Sequence, residues 1–185
     1  MNQSVELPIA TSLAGEQSTL MQPVFQVRSV GPESFEEMAA LWTRAQSARG
    51  APSENSMDAL AVFRDRAALP DAWFAAGALD GRIVAFAHGL WAREKDGTGE
   101  PIPGLMHLSM IAVEPEYWGR GYGRKITEFA IALSSILGYR AIQLWTAPTN
   151  ERAVRLYRRL GFMAIGRVKE HAGEEIGLYF LDMKK

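Results

Sequence analysis

The sequence EPEYWGRGYGRK, which runs from Glu114 to Lys125, places three glycines at alternate positions, Gly119, Gly121 and Gly123. Glycine is unfavourable inside strands and helices, because it loses more backbone freedom on folding than other residues do. The segment follows an apolar pattern typical of a strand and precedes one typical of a helix. The first amides of a helix have no partner within it, and bare glycine backbone lets an anion approach them. The segment is therefore either a tight turn or an anion-binding site.

Two common phosphate motifs do not fit these glycines. The dinucleotide fingerprint G-x-G-x-x-G requires a third glycine where this chain has Arg124. A P-loop requires lysine and then serine or threonine after its last glycine, whereas Arg124, Lys125 and Ile126 follow here. Arg120 and Arg124 are nevertheless suited to charge-assisted hydrogen bonds with an anion. If an anion binds, a different scheme holds it.

Apolar periodicity outside this segment alternates between strand and helix patterns. The pair Asp80-Gly81 between two apolar runs predicts a hairpin, since its turn needs positive φ angles. The composition of Ala92 to Gly104 is typical of a loop. The pattern as a whole predicts the order β α α β β β α β α β β and an α/β fold of the α+β type with a mostly antiparallel sheet. The predicted strands are Val24–Val30, Ala72–Leu79, Arg82–Trp91, Leu105–Val113, Ala141–Ala147, Phe162–Val168 and Ile176–Lys184, and the predicted helices are about Pro32–Gly50, Ser56–Ala68, Arg124–Leu137 and Asn150–Leu160.

Composition limits the classes of function. The 185 residues fit one domain, expected from residue 23 to 185, and 48% of them are hydrophobic, enough for a core. A net charge of -1 argues against a general nucleic-acid binder. Without cysteine the chain has no disulfide, no cysteine-ligated metal and no catalytic thiol, and we predict no metal site. Residues 1–22 are polar and aperiodic, which predicts a tail; neither a signal peptide nor a membrane span is indicated, and we expect a cytoplasmic protein.

Two blocks of the chain, LSMIAVEPEYWGRGYGRKI and APTNERAVRLYRRLGF, resemble the GNAT superfamily of acyl-CoA-dependent N-acetyltransferases. The family's pyrophosphate motif is glutamine or arginine, two residues, glycine, one residue, then glycine or alanine. It falls on Trp118 to Gly123, with Trp118 at the position where glutamine or arginine is usual. The second block matches the family's asparagine, tyrosine and Leu-Gly-Phe at Asn150, Tyr157 and Leu160-Gly161-Phe162.

This resemblance implies both a fold and an activity. The implied fold is a mixed, mostly antiparallel twisted sheet of six to seven strands flanked by about four helices. The implied activity is transfer of the acetyl group of acetyl-CoA to a primary amine by direct attack in a ternary complex. A covalent acyl-cysteine intermediate is excluded, because the chain has no cysteine. An inactive coenzyme-A-binding sensor or assembly module with the same fold is the alternative, and a plain α/β interaction domain is a third class.

The resemblance also implies roles for particular residues. The backbone of Ile111 to Val113 would line the pantetheine arm, the loop from Trp118 to Arg124 would hold the pyrophosphate, and Asn150 would bond the pantetheine region. Tyr157 would lie near the sulfur as general acid. The cofactor-binding residues expected on this basis are Ile111, Ala112, Val113, Trp118, Gly119, Arg120, Gly121, Tyr122, Gly123, Arg124, Asn150 and Tyr157. Helix capping is an alternative role for Asn150, and core packing is one for Tyr157.

The general base is less defined in the sequence. His107 and Ser109 share strand parity with Ile111 and Val113, so they lie on one face unless a bulge intervenes. His107 has a suitable ordinary pKa for a base, and Ser109 suits the positioning of a water. We take both as catalytic candidates, although a lone histidine is more often structural. His88, Glu94 and His171 are weaker candidates, and no base is needed if the amine loses its proton to water before binding.

The acceptor amine is not defined by the sequence. In the GNAT superfamily, which the chain resembles, the acceptor amine is selected by three segments. They correspond here to Pro32–Pro70, Ala92–Gly104 and Lys169–Glu175. Acidic side chains in the last two either attract a cationic amine or are ordinary solvated charge; they are Glu94, Asp96, Glu100, Glu170, Glu174 and Glu175. Acetyl-CoA and an amine are the expected partners, with no nucleic acid and no membrane. Dimerisation is common in the family, so a homodimer is a further expectation.

Overall fold

The computed structural model describes residues 24–52 and 58–183. The tail predicted at residues 1–22 lies outside these ranges, as does the predicted helix start at Ser56. The strands are β1 (Gln26–Ser29), β2 (Trp73–Leu79), β3 (Arg82–Arg93), β4 (Pro101–Val113), β5 (Ala141–Thr146), β6 (Met163–His171) and β7 (Glu174–Asp182). The helices are α1 (Phe35–Ala48), α2 (Ala59–Ala67), the single turn α3 (Glu94–Gly97), α4 (Tyr122–Ile136) and α5 (Glu151–Arg159).

The strands form one sheet in the order β1-β2-β3-β4-β5-β7-β6, which confirms the predicted α/β fold with a mostly antiparallel sheet. Within the described residues, β4 and β5 form the parallel pair and the other neighbours run antiparallel. The hairpin predicted at Asp80-Gly81 is present, with φ angles of 48° and 83°. None of the described helices is long and apolar enough to cross a membrane.

The loop predicted from Ala92 to Gly104 was largely wrong. Strand β3 continues to Arg93 and β4 begins at Pro101, and these two residues pair across the sheet. The single turn α3 connects the strands, and the Glu94 amide donates to the Glu100 carbonyl oxygen at 2.9 Å to close it. Prolines are accepted here because they lie at the beginning of a strand, where a missing N–H disturbs the ladder least. Composition alone therefore underestimated the length of the β3–β4 hairpin.

Local signals set the ends of several helices. Helix α2 begins at Ala59 because the Asp58 carboxylate accepts hydrogen bonds from the amides of Leu60 and Ala61, both at 3.1 Å. Helix α4 begins at Tyr122, two residues before the predicted start, so Gly123 lies in its first turn. It ends before Gly138, whose φ of 84° suits the predicted stop.

Two apolar cores lie on opposite faces of the sheet. One lies between the sheet and helices α4 and α5, and includes Ile126, Val154 and Phe162. The other lies between the sheet and helices α1 and α2, and includes Leu41 and Phe63. Burial of a large apolar side chain contributes about 1.5–3 kcal/mol, so each core is sufficient to fix its helix pair on the sheet.

Strand β4 changes the faces of its side chains at a β-bulge. His88 of β3 pairs with Met110 and the next residue, Gly89, pairs with Leu108, which leaves Ser109 as the extra residue. Before the bulge, Leu108 belongs to the core under α4 and α5; after it, Met110 belongs to the core under α1 and α2. The expectation that His107 and Ser109 share a face with Ile111 and Val113 is therefore wrong, because the extra residue reverses the alternation.

Strands β4 and β5 separate soon after they meet. Their pairing covers Leu105 to His107 on β4 and Ala141 to Gln143 on β5. Beyond His107, β4 continues to Val113 along β3 alone, while β5 pairs with β7 as far as Thr146. The backbone groups of β4 that point away from β3 therefore border an open cleft rather than a neighbouring strand.

The loop after β4 is attached to the opposite side of the sheet by a buried carboxylate. Glu114, only 2% exposed, accepts hydrogen bonds from Arg44 of α1, including contacts of 3.1 and 3.2 Å from Nε. Arg82 of β3 lies 3.5 Å from the same carboxylate. Since a buried charge is stable only when it is paired, these contacts fix the position at which the glycine segment begins.

His88 is fully buried and was among the weaker candidates for a general base. Its ring stacks on Phe74 at 4.3 Å, and Nδ1 donates to the Trp73 carbonyl oxygen at 2.9 Å. Burial lowers the pKa of His88 to about 4. This side chain has no contact with either of the cavities described below, which indicates a structural rather than a catalytic role.

We predict that His88 makes the fold sensitive to acid. Between pH 6.5 and 4 the unfolded chain binds a proton that the native ring does not, so the free energy of unfolding decreases as the pH falls. The loss from this group between pH 7 and 4.5 is about 2–3 kcal/mol. Urea unfolding at both pH values measures this loss of unfolding free energy. The loss should be smaller in His88→Gln than in the unmodified protein, and unchanged in the exposed control His171→Gln. An equal loss in all three proteins would contradict the prediction.

Candidate active site

The glycine segment presents open backbone amides at the start of α4. Gly119 and Gly121 have left-handed φ angles of 79° and 86°, and Gly121 caps the helix without a side chain. Lys125 makes the first backbone hydrogen bond of the helix, to the Gly121 carbonyl oxygen at 3.1 Å. The amides of Tyr122 to Arg124 therefore have no partner within the helix, and the helix dipole adds positive partial charge there. These features favour an anion.

A first cavity of about 420 Å³ lies beside this helix start. Helix α5, the end of β4 and the glycine segment enclose it, and part of α1 closes one side. Most of the residues expected to bind the cofactor line it, namely Ile111, Ala112, Val113, Trp118, Gly119, Gly121, Gly123, Arg124, Asn150 and Tyr157. Arg120 and Tyr122 do not; the Arg120 guanidinium lies 5.4 Å from the Tyr117 ring and the Tyr122 ring packs on Phe25 at 4.6 Å.

Trp118 connects the glycine segment to the strand that precedes it. Its indole Nε1 donates to the Val113 carbonyl oxygen at 2.7 Å, and its ring contacts both apolar cores. The guanidinium of Arg152 lies 4.1 Å from the centre of the ring, as in a cation–π contact. Trp118 thus holds the end of β4 and the first turn of α5 against the glycine segment.

Asn150 caps helix α5. Its side-chain oxygen accepts from the Ala153 amide at 3.4 Å, so capping is one of its roles. The side chain also borders the first cavity, and its NH₂ group has two donors that the cap does not use. Capping and ligand binding are therefore compatible, because different atoms serve them.

Tyr157 of α5 lies at the bottom of the first cavity. It is 8% exposed, its ring packs edge-on against Phe162 at 5.7 Å, and burial raises its pKa above the ordinary value. The phenol is therefore protonated at neutral pH. Both core packing and contact with a ligand are open to this residue, since it belongs to the core cluster and lines the cavity.

A second cavity of about 370 Å³ lies on the α1 and α2 side of β4. The bulge directs Ser109 into it, where the hydroxyl accepts a hydrogen bond from Arg66 of α2. His107 lines the same cavity. Ile111, Asn150 and Tyr157 line both cavities, so the two spaces meet in the cleft between β4 and β5.

His107 is neutral at physiological pH. Burial, together with the nearby charge of Arg66, lowers its pKa to about 4. Its Nδ1 atom is buried and has no hydrogen-bond partner among residues 24–52 and 58–183. A neutral ring with an unpaired nitrogen is able to exchange a hydrogen bond or a proton with a ligand in the second cavity.

The charges of the second cavity are mainly positive. Arg49, Arg66 and Lys169 line it, with Glu174 as the carboxylate among the lining residues. Glu174 is bound by Arg49 at 3.0 and 3.1 Å and by the Thr149 hydroxyl at 2.8 Å, which lowers its pKa. Arg66 and Lys169 lie in two segments that were expected to select the acceptor, but no motif singled them out within those segments. Within the described ranges, no group of three histidine or acidic side chains is placed to hold a metal ion.

Comparison with known proteins identifies the relatives of this chain. The family model described as acetyltransferase (GNAT) family matches residues 35–162. A mycothiol acetyltransferase from Nocardiopsis dassonvillei is 36% identical over 98 residues, which are 50% of this chain and 28% of that protein. The chain thus matches only about a quarter of the length of that relative.

Solved structures share the fold at low sequence identity. The ribosomal-protein-S18-alanine N-acetyltransferase of Escherichia coli gives a TM-score of 0.68 at 18% identity, over 88% of this chain and 96% of that one. A putative acetyltransferase from Salmonella typhimurium, solved with its cofactor acetyl-CoA, gives 0.67 at 17% identity, over 88% and 95%.

We predict that a bulky side chain at position 123 blocks ligand binding without disturbing the fold. A Cβ there would meet Leu156 at 3.4 Å and Val113 at 3.6 Å, which is ordinary contact, and the residue is helical. Gly123→Ala should therefore fold and keep coenzyme A affinity within about threefold, whereas Gly123→Leu should weaken it at least about tenfold by covering the amides. Calorimetry with coenzyme A measures both. Full affinity in a folded Gly123→Leu protein would refute the anion site. Gly121 is less suitable, because its φ of 86° strains any other residue.

Proposed function

Because this chain belongs to the acetyltransferase (GNAT) family, we propose that it transfers the acetyl group of acetyl-CoA to a primary amine by direct attack in a ternary complex. The observation that carries the proposal is the meeting of two cavities at Ile111, Asn150 and Tyr157. One cavity has open amides suited to a pyrophosphate, and the other has room for an acceptor. Two substrates that enter from opposite sides of β4 would meet in the cleft between the strands.

In this proposal the cosubstrate lies in the first cavity. The pyrophosphate binds the amides at the start of α4, where unpaired N–H groups and the helix dipole favour negative charge. The pantetheine arm follows β4 from Val113 towards Ile111, on the edge that β5 has left. The amide groups of the pantetheine arm would hydrogen-bond the open edge of β4 as a neighbouring strand does. Asn150 would donate a hydrogen bond to the arm from its free NH₂ group.

The acetyl carbonyl lies near Ile111 in the same arrangement. Attack by an amine places negative charge on the carbonyl oxygen, and a backbone amide on the open edge of β4 can donate to it. Because this donor is held by the sheet before the reaction begins, it stabilises the developing charge without reorganisation.

The amine must be neutral to attack, and the second cavity favours that state. The positive charge of Lys169, which lines this cavity, lowers the pKa of an ammonium group that enters it. His107 is neutral and has an unpaired nitrogen, so it can accept the proton directly or through a water beside Ser109. Its low pKa makes it a weak base, so proton transfer to His107 depends on a lowered pKa of the attacking amine, and the proton is then released readily.

Tyr157 is the proposed acid for the leaving thiolate. Its phenol stays protonated because burial raises its pKa. A raised pKa alone makes it a weaker acid, so transfer to sulfur depends on the thiolate being equally poorly solvated in the cleft. The proton then passes from the Tyr157 oxygen to sulfur as the C–S bond breaks, and solvent restores it.

We expect Tyr157→Phe to reduce kcat about 10- to 100-fold while changing the KM for acetyl-CoA by less than about threefold. The reason is that the change removes a proton donor and leaves the ring packing against Phe162 intact. Steady-state thiol release measures both constants. Tyr179→Phe, a buried tyrosine outside the two cavities, is the matched control. Unchanged turnover in Tyr157→Phe would remove it from the acid role.

The experiment that tests the proposed function is thiol release from acetyl-CoA in the presence of a panel of primary amines. Amine-dependent release, with the acetylated amine identified by mass spectrometry, is the expected result. Coenzyme A binding without release by any amine would instead favour an inactive sensor or assembly module. Failure to bind coenzyme A at all would refute both.

A further inference from the structure

Arg66 is a partly buried cation without a carboxylate partner in the described part of the chain. It lies at the end of α2, and its guanidinium donates to the neutral Ser109 hydroxyl. Burial lowers its pKa from the ordinary value, so its charge is held at a cost in solvation. Arg64, the other arginine near the end of this helix, is exposed to solvent. A guanidinium has five N–H donors in a fixed fork, and one hydroxyl cannot satisfy them.

Other groups around the same space also lack anionic partners. Lys169, on β6, lies over the Trp145 ring at 4.4 Å, and both residues line the second cavity. Trp42 of α1 lines it too, and its indole Nε1, a donor only, is buried and has no partner among residues 24–52 and 58–183. Arg49 is neutralised by Glu174. The groups described here that have no anionic partner are therefore the positive charges of Arg66 and Lys169 and the N–H of Trp42.

We infer that the acceptor amine carries an anionic group, a carboxylate or a phosphoryl group, which Arg66 binds beside Ser109. This inference rests on the proposed function and names the class of its acceptor. A planar guanidinium binds either anion through two parallel hydrogen bonds. Lys169 lines the same cavity and would add a second positive charge. The site thus selects an acidic amine, whereas the acidic loops of the sequence left a cationic amine or ordinary solvated charge open.

The spacing along β4 limits the size of the acceptor. Ser109 and Ile111 are two residues apart on β4, which is at most about 6–7 Å along an extended strand and less across the bulge. Since attack occurs beside Ile111 in the proposed complex, this distance is an upper limit on the separation of the amine and the anion. An α-amino acid or a phosphorylated amino alcohol meets this limit, and a long polyamine does not.

The test uses acceptors in matched pairs that differ only in the anion. One arm compares L-amino acids with their amides, and the other compares O-phosphoethanolamine with ethanolamine. We expect kcat/KM in thiol release to be at least about tenfold higher for the acidic member of one arm, and the arm that responds distinguishes carboxylate from phosphoryl. Equal or better turnover of the neutral members would overturn the inference while leaving the proposed function intact.

A variant series assigns the preference to Arg66. Arg66→Gln should lower kcat/KM for the acidic acceptor about 10- to 100-fold, with little change for its neutral counterpart, and Arg66→Lys should recover part of the loss. Arg64→Gln, on the exposed face of the same helix, is the matched control. A loss that is equal for acidic and neutral acceptors would show that Arg66 is only structural, and would overturn the assignment.

A binding measurement keeps the inference independent of turnover. Thermal unfolding with coenzyme A measures whether the second cavity holds an anion, with the N-acetyl amino acids and N-acetyl-O-phosphoethanolamine as acids and the corresponding N-acetyl amides and N-acetylethanolamine as neutral controls. We expect stabilisation by the acids that is lost in Arg66→Gln. If neither acids nor amides shift the melting temperature, the anion site is refuted, whereas binding of coenzyme A itself is judged separately by calorimetry.

Discussion

The separation of β4 from β5 is the constraint on which the site depends. A strand inside a sheet normally satisfies its backbone groups on both sides. Here β4 keeps β3 on one side but loses β5 after His107. Unpaired backbone groups inside a protein are unfavourable, so the open edge is suited to a ligand that carries amide groups of its own. The cleft exists because β5 turns away from β4 after Gln143, while its other edge stays paired with β7.

The bulge at Ser109 decides which side of the sheet the neighbouring side chains of β4 face. Without the extra residue, the side chains of His107 and Ser109 would face the same helices as Ile111. The insertion directs them towards α1 and α2, where Arg66 and Trp42 contribute to the second cavity. A single residue of irregular backbone therefore places His107 and Ser109 on the α1 and α2 side of β4.

The sequence predicted the parts of this molecule that depend on neighbouring residues. The Asp80-Gly81 turn, the stop at Gly138 and the cap at Asn150 are local, and each has one dominant physical cause. The glycine segment was located for the same reason. The bulge, the extended β3–β4 hairpin and the position of Arg66 were not predictable, because each depends on pairing between segments far apart in the chain. The sequence also left the role of Glu174 open, because its partner Arg49 lies far away in the chain.

The conformation of the glycine segment depends on the attachment of Glu114 to elements elsewhere in the chain. Its carboxylate is fixed by Arg44 and Arg82, which belong to α1 and β3. Trp118 is fixed in turn by Val113 and Arg152. The segment thus takes its shape from elements before and after it in the chain rather than from its own sequence. It is not a portable module: grafted into another protein, the same peptide would keep its glycines but lose the alignment of its amides.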